Sequence, residues 1–116
     1  MRERQRRARA SAATMRSRFP DITTLRIGFE FRDRGPFAPV PQMSVMHPPA
    51  SAYFVFPCPY ADCDGEFDIS APVESLAATG ESRCHGELNC TGHRRVDTGQ
   101  VPCGLTARYA IEALRD

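Results

Sequence analysis

Apolar residues alternate with polar ones through "TLRIGFEFRDR", where Leu25, Ile27, Phe29 and Phe31 share one face and Arg26, Glu30 and Arg32 the other. Four large apolar side chains at period two predict a half-buried strand, ended by Arg34-Gly35-Pro36. The next segment, "GPFAPVPQMSVMHPPA", holds prolines at 36, 39, 41, 48 and 49. Proline cannot donate to a ladder, so this stretch predicts a loop with at most a short edge strand over 43–46. Its Phe37, Val40 and Val45 and two methionines favour packing across the sheet over a groove-binding role.

"SAYFVFPC" and "GEFDIS" read as two further strands joined through a loop of hairpin length. "APVESLAATG" carries helix signals: Pro72 suits the first turn, Val73, Leu76 and Ala77 share a face, and Gly80 can end it. "SRCHGELNC" sets Cys84, Leu88 and Cys90 on one parity, and "CGLTARYAIEAL" does the same for Leu105, Tyr109 and Ile111. The connection between them, "TGHRRVDTGQVP", is polar and turn-rich. These elements predict a mainly β fold, an antiparallel sheet of four or five strands with one short helix.

Charge divides the chain in two. Residues 1–18 carry seven arginines against Glu3, a net +6, whereas the rest carries eight arginines against thirteen acids, a net −5. High charge with few apolar residues predicts a flexible Arg-rich arm over 1–18, followed by one β domain over 19–116. The arm is also compatible with an upstream extension of a chain beginning at Met15, with a transit peptide, or with a phosphate-binding tail. It has no apolar secretory core, and no run approaches the length of a membrane span. The expected setting is therefore the reducing cytoplasm, where paired cysteines read as metal ligands before disulfides.

The candidate ligands are Cys58, Cys63, Cys84, His85, Cys90, His93 and Cys103, with His47 well upstream. Structural zinc takes four such ligands in a closed tetrahedron. Cys58 ends one predicted strand and Cys63 precedes the next, so a hairpin brings both sulfurs to one end of the sheet. Cys90 and Cys103 stand in the same relation across a twelve-residue connection. Cys84 lies six residues up a regular strand from Cys90, about 20 Å away at 3.3 Å per residue. The expected site is thus Zn²⁺ on Cys58, Cys63, Cys90 and Cys103. Replacement of one member by His93 or Cys84, and four buried reduced thiols without metal, are the competing readings.

"CPYADC", "NCTG" and "PCGL" carry a resemblance to the zinc ribbon over about residues 51–114, and to small bacterial proteins of that type from an uncharacterised family. The resemblance implies two hairpins whose cysteine-bearing ends clasp one ion. Its spacings, four and twelve intervening residues, depart from the two-residue knuckle.

Cys84 and His85 point to opposite faces of a strand and cannot work as nucleophile and base, and a four-thiolate site leaves no open position, so no enzyme is expected. Asp62, Asp64, Glu66 and Asp68 share a parity and read as a solvated face or a docking surface for a basic partner. The expected function is a small structural-zinc protein acting as a protein-interaction or adaptor module. The alternative is a nucleic-acid-associated zinc ribbon using the basic arm with Arg94 and Arg95.

Overall fold

The computed structural model describes residues 3–35 and 37–115. The first two residues of the expected arm, Pro36 of the predicted breaker and Asp116 lie outside the described residues. Along the chain run helices α1 (Glu3–Ser11) and α2 (Met15–Arg18) and strands β1 (Ile22–Arg32), β2 (Gln42–Met46), β3 (Val55–Pro57) and β4 (Glu66–Asp68). Helix α3 (Ser70–Thr79) and strands β5 (Arg83–Asn89), β6 (His93–Val96), β7 (Gly99–Pro102) and β8 (Thr106–Arg115) complete it.

The main sheet has the order β2-β1-β8-β5, and every pairing in it is antiparallel. Long period-two runs explain its centre. Leu25, Ile27 and Phe29 of β1 and Ala107, Ile111 and Ala113 of β8 are buried on one face. Phe54, Phe67, Ile69, Val73 and Leu76 belong to the same core cluster. As expected, β2 is an edge strand. The residues leading to it remain open, with Phe37 84% and Val40 77% exposed.

Helix α3 starts where the Asp68 carboxylate accepts from the Ser70 N–H at 2.9 Å and buries Val73 and Leu76. It stops at Gly80, whose φ of 76° is left-handed. A Cβ there meets nothing, so Gly80→Ala isolates the backbone cost. The expected result is a loss of about 1 kcal/mol in urea unfolding, with the metal content unchanged.

The segment over 51–58 is strand for only three residues. Its upstream part bonds elsewhere: Ala52 N–H donates to Ala13 at 2.6 Å, and Phe54 accepts from Ile69 N–H at 3.0 Å. The polar connection after Cys90 forms the β6–β7 hairpin, closed through Val96 and Gly99. Seven of its eight strand residues are exposed, so no alternation marked it in the sequence.

The flexible arm needs a correction. Residues 3–11 are helical, with Arg4 and Gln5 bonded to Glu66 at 2.9 and 2.7 Å. Met15 is fully buried, and its N–H donates to Ala50 at 2.8 Å. Met15 and Phe19 are one helical turn apart and both enter the core, and Gln5 of α1 is buried as well, so residues before 19 pack on the body. The density of arginine around them had hidden this pair.

Candidate metal centre

Two hairpins meet at one end of the main sheet. Phe56 and Phe67 seat the β3–β4 hairpin on β1, with ring centroids 5.2 and 6.3 Å from that of Phe29. This fixes the 58–65 loop and its two cysteines. Pairing of β5 with β8 ends at Asn89 and Thr106, and the Cys90 N–H then donates to Leu105 at 2.8 Å. Cys103 N–H donates to Gly92 at 3.0 Å, so the second pair of cysteines converges as the antiparallel register requires.

The Sγ atoms of Cys58, Cys63, Cys90 and Cys103 all lie within 4.8 Å of one another, and all four residues are buried. Cys63 and Cys90 sulfurs are 3.6 Å apart and those of Cys58 and Cys103 are 3.8 Å apart, with no disulfide formed. Four thiolates about 2.3 Å from a central ion stand about 3.8 Å from each other in a regular tetrahedron. The cluster can therefore hold a metal ion. Neither His93 nor Cys84 belongs to it. His93 is exposed, while Cys84 sits opposite Ile111 in β5 and packs against the core. Burial, with Glu81 adding to it, raises the Cys84 thiol, as suits an unreactive structural residue.

Backbone amides prepare the sulfurs for charge. The Gly65 N–H donates to the Cys63 sulfur at 3.3 Å, and the backbone at Tyr60 and Gly92 acts to lower Cys58 and Cys90 in the same way, each from two residues downstream. Burial nevertheless dominates at Cys58 and Cys90, pushing the first well up and the second up to about 12. At Cys63 burial is outweighed by the Gly65 amide and the neighbouring thiols, and its pKa is lowered. Without a cation the pocket resists holding four thiolates; a divalent ion offsets that resistance.

Two glycines let the knuckles touch. A Cβ on Gly65 would lie 2.2 Å from the Cys90 sulfur, and one on Gly92 would lie 2.3 Å from the Gly65 nitrogen. The sequence signal was present as the repeated Cys-x-Gly of Cys63-Asp64-Gly65 and Cys90-Thr91-Gly92, which the cysteine spacing alone did not reveal. Asp64 adds a cross-link, its Oδ1 accepting from His93 N–H at 2.6 Å.

An outer layer surrounds the cysteines. Arg94 lies over the Tyr60 ring at 3.8 Å and bonds Asp62 through Nε at 3.1 Å. The Tyr60 hydroxyl donates to Asp33, which lowers Asp33 and pushes the phenol up to about 12. The acidic row is thus committed internally: Asp62 to Arg94, Asp64 to His93, Glu66 to Arg4 and Gln5, and Asp68 to the start of α3.

Comparison with protein-family models, curated proteins and solved structures finds no match, so the site is read from its geometry. Among the described residues, no helix is long and apolar enough to cross a membrane.

Proposed function

We propose that Cys58, Cys63, Cys90 and Cys103 bind one Zn²⁺ as a structural clasp, and that the protein is an interaction module rather than an enzyme. The observation that carries this reading is the buried group of four sulfurs at tetrahedral spacing. All-sulfur tetrahedra suit zinc, and four protein ligands leave no coordination position for water or substrate. The two knuckles are the part of the chain that supports the zinc-ribbon resemblance.

The proline-rich segment over 37–41 supports the interaction role. Phe37 and Val40 are exposed, and with Pro59 and Tyr60 they line a cavity of about 420 Å³. Pro59 and Tyr60 directly follow Cys58, so a bound ion would stiffen the base of this surface. Apolar side chains held over a fixed base favour a protein partner with an apolar anchor. Nucleic acid is the less favoured partner. The chain beyond residue 18 is net −5, and Arg4, Arg6, Arg7 and Arg18 already have carboxylate partners in Glu66, Glu3 and Glu74.

Native mass spectrometry of protein produced with zinc should show one ion per chain. Cys84→Ser should retain it, and Cys103→Ser should lose or loosen it. Equal retention by both variants would overturn the ligand assignment. Salt-sensitive binding of DNA or RNA that survives removal of residues 1–18 would overturn the partner assignment.

A further inference from the structure

The open face of the main sheet, turned away from the core, carries three central rows of side chains set by its register, flanked by Thr24 and Leu114 at one end and by Arg32, Thr106 and Asn89 at the other. In the first row Arg26 of β1, Glu112 of β8 and Arg83 of β5 stand side by side. In the third, Glu30, Arg108 and Glu87 occupy the same strands with every sign reversed. The row between them contains no carboxylate or guanidinium. It runs Met43, Gly28, Ala110, His85 across all four strands. Gly28 and Ala110 floor a trough of about 630 Å³ at this level, and Met43 is 69% exposed at its end.

We propose that two copies of the chain meet through this face, about a two-fold axis lying along the middle row. Such an axis turns one sheet over onto the other, keeps each strand opposite its counterpart, and exchanges the first and third rows. Arg26 then faces the partner's Glu30, Glu112 the partner's Arg108, and Arg83 the partner's Glu87. Each contact occurs twice, as an isologous interface demands. On β2, Val45 extends the first row beside Arg26, and Pro41 lies at the level of Glu30, so these two apolar residues also face each other.

Single exposed ion pairs contribute little, so the charged rows act mainly by selecting one orientation. Met43, Val45 and Pro41 supply the apolar burial, and the small middle residues let the sheets approach at the usual spacing of about 10 Å. A dissociable dimer follows. A two-fold axis along the strands is the poorer arrangement, because it sets Arg83 and Glu87 against Val45 and Pro41.

Sedimentation velocity over a concentration series tests this. The native chain should dimerise reversibly, whereas Arg26→Glu and Glu30→Arg should each be monomeric, because like charges then meet twice. Mixing the two variants in equal amounts should restore a dimer, since every altered charge regains an opposite one. Ala110→Glu sets two carboxylates against each other on the axis while leaving every residue of the in-sheet ion pairs in place, and should be a folded monomer by its amide spectrum. A native chain that stays monomeric, variants that dimerise like it, or a mixture that remains monomeric would each overturn the proposal.

Discussion

Chelating the metal at neutral pH should collapse the dispersed amide spectrum of the protein, and restoring Zn²⁺ should recover it. Structural zinc contributes roughly 10 kcal/mol or more to folding in small zinc domains, comparable to the whole net stability of a chain this size. The position of the site makes the loss global. The four cysteines belong to the same buried cluster as Phe67, Leu105 and Ile111, so freeing the knuckles opens the end of the core rather than a peripheral loop. Cys63→Ser should reproduce the collapse with zinc present, while Cys84→Ser should unfold close to the native midpoint.

Affinity should also rise with pH through the neutral range, because the metal takes thiolates and the metal-free pocket holds Cys58 and Cys90 protonated. Lowering the pH therefore returns protons to the sulfurs and expels the ion. Chelator competition at several pH values reads this directly. A chelated chain that keeps its dispersion would remove zinc from the account of the fold.

The main sheet was legible because its two longest strands alternate at period two, β1 in Leu25, Ile27, Phe29 and Phe31 and β8 around Tyr109 and Ile111. The same regularity gave the four cysteines that the fold brings together: strand ends marked by cysteine must converge when the strands pair antiparallel, and they do at Asn89 and Thr106. What escaped has identifiable causes. The β6–β7 hairpin buries almost nothing, so its pairing is backbone chemistry without a side-chain pattern. Met15 and Phe19 are two apolar residues among arginines, too few to show a period although both are buried. The acidic row was read correctly in parity but not in partners, because Arg4, Gln5, His93 and Arg94 reach it from distant parts of the chain.

Gly92→Ala should cost more than any other glycine-to-alanine change in the clasp except Gly65→Ala, and for a reason unrelated to φ. Both positions have ordinary backbone angles, since only Gly80, Gly99 and Gly104 have positive φ among the described glycines. Their constraint is space. The new methyl at 92 would sit 2.3 Å from the Gly65 nitrogen and 2.4 Å from its Cα, so backbone must yield to backbone. Separating the knuckles pulls apart the Cys63 and Cys90 sulfurs, now 3.6 Å from each other. At Gly65 the methyl strikes the Cys90 sulfur itself. Zinc affinity should fall by about 10- to 100-fold for Gly92→Ala, as for lost outer-layer support, and further for Gly65→Ala, where a ligand is displaced. Gly35→Ala is the control, because a methyl there meets nothing and no strained angle is involved. Competition with a chromogenic chelator measures all three. If Gly92→Ala binds zinc as tightly as Gly35→Ala, the close approach of the two Cys-x-Gly turns is not what sets the sulfur positions.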